Sequence, residues 1–196
     1  MNKTIGIFGG GQLGRMMAQA ALPLNLQCTF FEAETNCPAA ILGSVFSSKN
    51  EQGLQDFIAS ADVFSLEFEN TPVADVDVLT QTKTLHPPRL ALATAQNRLA
   101  EKALFDQLAI PVAPYRAVDS LESLKQAVAE LGLPIVLKTV TGGYDGKGQF
   151  VLRSEDQIDT AWAELGPAKS LIAESFVKFS REVSIIAVRG QDGDVK

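Results

Sequence analysis

Gly142, Gly143, Gly146 and Gly148 put four glycines within seven residues, the densest chemical signal in the sequence. The run Thr141–Gln149 that holds them lies between two apolar stretches, Ile135–Thr139 and Gln149–Leu152. It therefore joins strand to strand, whereas a Walker loop or a Rossmann turn leads into a helix. The expectation is a hairpin flap whose backbone N–H groups close over a polyphosphate. Lys138 ends the apolar run Ile135-Val136-Leu137, and a lysine on a half-buried strand needs an anionic partner. Phosphate oxygens would serve, and Lys147 within the loop adds a second cation. On that basis Lys138→Met should weaken phosphate binding by about 1.5–3 kcal/mol and barely touch stability, because Met keeps the apolar stem. The plainer alternative is a flexible surface hairpin with two solvated lysines. Glu174 closes the apolar run Leu171-Ile172-Ala173, and Glu182 follows eight residues on. The first suits an adenine amino group and the second ribose hydroxyls, with the backbone at Phe176 and Val177 along the adenine edge. Solvation is the commoner fate of any single Glu. Arg98 and Lys102 lie one turn apart on a helical stretch and share a face; they serve a ligand or pair with Glu101 or Asp106.

A second glycine cluster lies near the N-terminus. Gly9-Gly10-Gly11-Gln12-Leu13-Gly14 reads G-x-G-x-x-G after a strand and before a helix, and Glu32 ends the next strand. This is a complete dinucleotide fingerprint. Two features count against NAD or FAD: Arg15 offers a charge suited to a monophosphate, and the Gly142–Gly148 loop is a separate phosphate apparatus. Any first βα turn of such a sheet favours glycine in any case. Glu67 and Glu69 follow the fourth strand, at the edge where ligands of parallel sheets bind, unless they only line a polar loop. His86, the single histidine, precedes Pro87-Pro88 and reads as structural. No nucleophile motif and no metal-ligand spacing is present.

The elements that must position these residues fall into two blocks. Thr4–Phe8, Gln27–Phe31, Val45-Phe46, Val63–Leu66 and Thr84–His86 read as strands. Between them, Gln12–Leu22, Gln52–Ala61 and a segment opening at Thr71-Pro72 read as helices. That alternation predicts a parallel sheet with helices on both faces. Arg89–Leu108 reads as one helix with Leu99, Ala103, Leu104 and Leu108 inward. Past Ile110-Pro111 the pattern becomes strand Tyr115–Val118, then a helix capped by Asp119 and Glu122 and stopped at Gly132. The strands flanking the glycine loop follow, then a helix capped by Ser154 and Gln157, and strands at Leu171–Ala173 and Glu182–Arg189. A turn at Gln191-Asp192-Gly193 predicts a hairpin whose returning arm is cut short at Lys196, as in the N-terminal piece of a longer chain. The 196 residues carry 17 basic and 23 acidic side chains, a net charge of −6, which argues against a nucleic-acid footprint. No run of eighteen apolar residues predicts a membrane span, and no signal peptide is evident. Cys28 and Cys37 lack metal-finger spacing. The expectation is a cytoplasmic protein with reduced thiols.

Several segments together resemble a known family: Gly9–Met16, Glu67–Pro72, Gln96-Asn97-Arg98, Pro134–Lys138, Gly142–Gln149 and Glu174–Ser184. They are similar, in order, to the N-terminal part of the 5-(carboxyamino)imidazole ribonucleotide synthases of the ATP-grasp superfamily. The resemblance implies an α/β fold with a Rossmann-like pre-ATP-grasp domain over 1–108 and a small α+β lid over 109–177. The start of a truncated C-terminal ATP-grasp domain would occupy 178–196. It implies a carbon–nitrogen ligase of purine biosynthesis that carboxylates 5-aminoimidazole ribonucleotide with bicarbonate and ATP, through carboxyphosphate, to the carbamate, ADP and phosphate. By position, Arg98, Lys138, Gly143, Tyr144, Asp145, Gly146, Lys147, Gly148 and Gln149 would hold ATP phosphates. Glu174, Ser175, Phe176, Val177 and Glu182 would hold adenosine. Tyr144, Asp145 and Lys147 would also reach the second substrate, with Gln12, Leu13, Glu67 and Glu69 on the N-terminal side. Magnesium ligands would lie beyond Lys196, leaving this stretch inactive alone, and the longer protein would be a homodimer. Competing expectations are another ATP-grasp ligase, such as the formate-dependent glycinamide ribonucleotide transformylase, a nucleotide-binding module without catalysis, and an NAD-dependent oxidoreductase.

Overall fold

The computed structural model describes residues 3–143, 148–166 and 170–196. It divides into two units, Met1–Val112 with Thr139–Gly148, and Ala113–Lys138 with Gln149–Lys196.

The first unit carries a parallel sheet of β1 (Thr4–Phe8), β2 (Gln27–Glu32), β3 (Ser44–Ser47), β4 (Val63–Leu66) and β5 (Thr84–Leu85), in the order β3-β2-β1-β4-β5. Helices α1 (Gln12–Ala21), α2 (Gly53–Ala59), α3 (Val73–Leu79) and α4 (Arg89–Gln96) connect and follow these strands. Period-two alternation sends neighbouring side chains to opposite faces. Ile7 and Phe30 pack with Ala18, Ala21 and Cys28 on one face. Phe8 and Phe31 pack with Phe57, Phe64, Val76 and Leu79 on the other. Phe57 is the hub of that second core. Its ring meets Phe8 and Phe64 edge-on, each at 5.1 Å, and stacks on Phe31 at 5.4 Å; such aromatic pairs contribute about 0.5–1.5 kcal/mol each beyond their buried area.

The single helix expected over Arg89–Leu108 is two. Asn97 adopts an extended backbone (φ −113°, ψ 104°), and its side chain accepts from Ala100 N at 3.0 Å. It is thus the N-cap of α5 (Arg98–Gln107), and an N-cap residue cannot also sit inside the helix before it. No residue of α5 is buried, and Ala103, Leu104 and Leu108, expected inward, are exposed. Thr71 does not cap α3; its hydroxyl donates to Phe68 O, and Pro72 takes the cap position.

The second unit is a four-stranded sheet in the order β6-β9-β7-β8, from β6 (Tyr115–Val118), β7 (Ile135–Thr139), β8 (Gln149–Leu152) and β9 (Leu171–Ser175). β6 pairs antiparallel with β9, and β7 with β8. Helices α6 (Leu121–Leu131) and α7 (Ile158–Leu165) cover it around Leu124, Val128, Ile135, Leu137, Leu152 and Leu171. The cap of α6 is Ser120 with Ser123, one residue later than the expected Asp119 with Glu122. The Ser120 hydroxyl accepts from Ser123 N, and the Ser123 hydroxyl accepts from Ser120 N. Ser154 does not cap α7, which is preceded by a 3-10 turn, Glu155–Gln157. The strand expected over Glu182–Arg189 is reduced to its last two residues: residues 182–187 form no strand, and the apolar side chains of the segment stay exposed. The turn at Gln191–Gly193 does form. Its returning arm is short but present, with Val188 and Lys196 exchanging backbone hydrogen bonds and Arg189 bridged to Val195.

Candidate functional site

In the first unit, β1 lies between β2 and β4, so the order of strands reverses at β1 and the loops after β1 and β4 meet. The loop after β1 is Gly9–Gly11, which opens α1. Gly11 N donates to Glu67 Oε2 at 2.7 Å, and Leu13 N donates to Glu67 Oε1 at 3.0 Å. The Glu67 carboxylate thus stands where a helix N-terminus would take a phosphate. The glycines make room for it: Gly9 has φ +104°, and a Cβ on Gly11 would lie 2.5 Å from Glu67 Oε1. Glu32 is likewise turned onto backbone, accepting from Gly10 N at 3.1 Å and Ala33 N at 2.7 Å. The dinucleotide fingerprint is therefore satisfied internally. The N–H groups suited to a pyrophosphate hold Glu67, and the acid suited to a ribose holds the loop.

Glu69, two residues past Glu67, is exposed, as are Gln12 and Leu13. A cavity of about 280 Å³ opens beside it, lined by Leu66, Glu67, Phe68, Glu69, Pro87, Ala91, Leu92 and Ala95. Its wall is apolar apart from the two glutamates. The Gln96 side chain fixes this loop, donating from Nε2 to Glu69 O and Thr71 O, each at 2.5 Å. A smaller cavity, about 120 Å³, lies among Gly9, Phe31, Glu32 and Asp75; burial pushes the Asp75 carboxyl up.

Arg98 serves the Gly142–Gly148 loop, though not as a bare cation. Its Nη1 donates to Thr139 O at 2.8 Å and Gly142 O at 2.7 Å, and its Nη2 to Gly143 O at 3.0 Å. Its backbone N–H donates to Val140 O at 3.0 Å. Thr139 N donates in turn to Gly148 O at 2.9 Å, closing the base of the loop. Tyr144, Asp145, Gly146 and Lys147, expected to touch both ATP and substrate, lie outside the described residues.

In the second unit, Lys138 Nζ and Glu174 Oε2 are 3.0 Å apart, with side-chain exposures of 27% and 11%. The strands explain the meeting: β7 and β9 are neighbours, and both residues lie near the ends of their strands. The anion that Lys138 requires is thus supplied by the residue expected to receive adenine. Gln149 stands opposite Lys138 in the β7–β8 ladder. Ser175 N donates to Pro114 O and Phe176 N to Pro134 O, so this chain segment is held by its backbone. Phe176 N, expected along an adenine edge, is thereby engaged by Pro134 O. The Arg153 guanidinium lies 5.6 Å over the Phe176 ring. Glu182 is exposed in the extended segment.

A family model for the ribonucleotide synthetase preATP-grasp domain matches residues 1–96, and one for the ATP-grasp domain matches residues 103–196. The chain is 42% identical to the N5-carboxyaminoimidazole ribonucleotide synthase of Brucella melitensis and 40% identical to that of Pseudomonas aeruginosa. Each alignment takes in 98% of the chain and 54% of the relative. A solved ADP complex of an N5-carboxyaminoimidazole ribonucleotide synthetase superposes with a TM-score of 0.92 at 41% identity, over 100% of this chain and 52% of that one. The Aspergillus clavatus enzyme in complex with ADP and 5-aminoimidazole ribonucleotide superposes at 0.87 with 27% identity, over 99% and 51%. The chain spans about half the length of the curated relatives it matches.

In sequence, Gln96 stood out only within the run Gln96-Asn97-Arg98, with no sign that its side chain holds the Glu69–Thr71 backbone. Nor did the sequence point to the loop carbonyls as partners of Arg98; beyond that run, the signal was position, since both residues flank Asn97 and an N-cap Asn marks a helix start.

Proposed function

We propose that this chain binds ATP through its second unit and the Gly142–Gly148 loop, and 5-aminoimidazole ribonucleotide through its first unit. It would do so as part of a ligase that carboxylates the ribonucleotide with bicarbonate. ATP would phosphorylate bicarbonate to carboxyphosphate with release of ADP, and carboxyphosphate would then pass CO2 to the exocyclic amine with release of phosphate and of the amine's proton. The observation that carries this reading is the Lys138–Glu174 pair at the foot of the glycine loop. It offers a cation to phosphate oxygens and a carboxylate to an adenine amino group in one place. Gly143, Gly148 and Gln149 continue the phosphate side in this reading, together with Tyr144, Asp145, Gly146 and Lys147. Ser175, Phe176, Val177 and Glu182 form the adenosine side. Arg98 reaches the same loop through its carbonyls.

The second substrate is assigned to the first unit because the 280 Å³ cavity beside Glu67 and Glu69 is apolar with carboxylates in its wall. That composition suits a flat amino-substituted ring. Gln12 and Leu13 flank this edge. Of the two acids, Glu69 is the substrate-facing one in this assignment, since Glu67 is committed to Gly11 and Leu13. Among the described residues no three His, Cys, Asp or Glu side chains come together. In this reading the residues named above contribute binding, orientation and charge neutralisation, which carry most of phosphoryl-transfer catalysis.

Calorimetric titration with ADP and with NADH tests the reading. ADP is expected to bind more tightly, and Lys138→Met to weaken it. Tighter binding of NADH would overturn the ligase assignment, because it would mean that the Gly9–Gly14 loop gives up Glu67 for a dinucleotide.

A further inference from the structure

The loop after β4 carries both acids of the proposed ribonucleotide site, Glu67 and Glu69, yet it is neither helix nor strand between Leu66 and Val73. Side chains meet its carbonyl oxygens instead. The Thr71 hydroxyl donates to Phe68 O at 3.3 Å, and the Gln96 amide nitrogen donates to Glu69 O and to Thr71 O at 2.5 Å each. A side-chain amide nitrogen has two N–H groups, and here each goes to a separate carbonyl. Both acceptors are carbonyl oxygens, so the amide faces them with its nitrogen and not with its own oxygen. The donor comes from an element that lines the same cavity. Leu66, Glu67, Phe68 and Glu69 of the loop and Ala91, Leu92 and Ala95 of α4 surround a space of about 280 Å³. Gln96 follows Ala95 as the last residue of α4, and the extended backbone of Asn97 ends the helix there. The Gln96 side chain thus joins two elements that together shape the cavity.

We infer that Gln96 is a positioning residue for the ribonucleotide site: it ties the loop that carries Glu67 and Glu69 to α4 and so sets the shape of the cavity between them. Its consequence for the ribonucleotide rests on the assignment of that substrate to the first unit; the tie itself does not. A loop fixed before the ligand arrives lowers the ordering cost of binding. The adenosine side, Glu174–Val177, belongs to the second unit and shares no residue with the tie. Gln96 therefore acts on the ribonucleotide and leaves ADP alone.

The test compares the 196-residue chain with Gln96→Glu and Gln96→Met. A carboxylate at 96 has the shape of the amide but no hydrogen to give; protonation restores one donor. Two facing carbonyl oxygens favour its neutral form, so this carboxyl should titrate above the ordinary value of about 4.3. Amide NMR of residues 67–71 reads the tie without ligand, each variant being compared with the parent at the same pH so that the titration of Glu67 and Glu69 cancels. In Gln96→Glu these signals should differ from the parent at about pH 8 and move back toward it by about pH 5.5. In Gln96→Met they should differ at both. Titration with 5-aminoimidazole ribonucleotide reads the consequence. Gln96→Glu should bind roughly tenfold more weakly at the higher pH, for two lost hydrogen bonds, and regain part of that at the lower. Gln96→Met should stay weak at both, and ADP affinity should hold throughout. Should Gln96→Met not fold, Gln96→Glu across the pH range carries the comparison. Parent-like loop signals in Gln96→Glu at the higher pH overturn the tie. Displaced signals with unchanged ribonucleotide affinity overturn the positioning role, and so does an equal loss of ADP affinity or a loss that acid does not reverse. If the parent binds no ribonucleotide, the assignment of that substrate fails and the claimed consequence falls with it. The loop signals then decide the tie alone.

Discussion

Lys138 stands on a strand of apolar neighbours, and the anion it needs is Glu174, 3.0 Å away. This changes what its removal should do. Viewed in the sequence alone, Met at 138 keeps the stem packed and costs almost no stability. With Glu174 only 11% exposed on its side chain, the same substitution removes the cation beside a nearly buried carboxylate. We expect Lys138→Met to lower the unfolding free energy by about 1.5–3 kcal/mol, the worth of a hydrogen bond between charged groups. Adding Glu174→Gln should recover part of the loss, because it removes the charge that Lys138 balanced. Urea unfolding of the parent, both single variants and the double variant measures the coupling. A Lys138→Met protein as stable as the parent would place this pair with the weakly contributing surface ion pairs.

At the scale of elements, two short segments are fixed by side chains that sequence spacing assigned elsewhere. Helix α1 has no acidic residue in its first turn and no capping side chain of its own. Glu67, from the loop after β4, supplies both functions across 56 residues of sequence. Glu67→Gln keeps the shape but offers one acceptor oxygen to two N–H groups and removes the charge that favours a helix N-terminus. We expect a loss of about 1.5–3 kcal/mol, the range for hydrogen bonds to a charged group. Exchange should rise selectively at Gly11 and Leu13. If those amides stay protected, the loop holds itself and Glu67 is not its cap. The Arg89–Leu108 region shows the same principle: apolar spacing reads through Asn97 as one helix, whereas the Asn97 side chain starts a new one.

At the scale of the whole molecule, the segment after β9 is exposed along its whole length. Val183, Ile185, Ile186 and Val188 are 81%, 89%, 92% and 64% exposed. Such an exposed apolar stretch is a site for association. The chain should self-associate in sedimentation velocity at tens of micromolar or so, and Ile185→Ser with Ile186→Ser should shift it toward monomer without changing its helical circular dichroism. Association unaltered by those changes would mean that another surface drives it. The two units should keep their thermal stability in the same variant, since neither residue contributes to any of the three core clusters.

The sequence by itself determined the alternation of strands and helices in the first unit and the hairpin that carries the glycine loop. Both follow from local pattern. Apolar period two makes Ile7 and Phe8 face opposite ways, and Gly132 ends α6 where the pattern ends. It also determined that Lys138 needs an anion and that Glu67 lies at the ligand edge of the sheet. The tertiary structure alone decided the partners. Whether Glu67 takes a substrate or the N–H groups of Gly11 and Leu13 depends on β4 lying beside β1, a contact far apart in sequence. Whether Lys138 meets Glu174 depends on β7 lying beside β9. Whether Glu182–Arg189 becomes a strand depends on a neighbour to pair with, since a strand's hydrogen bonds all lie outside itself, unlike those of a helix. Residue type fixes which groups require a partner; only the arrangement of distant segments decides which partner each one has.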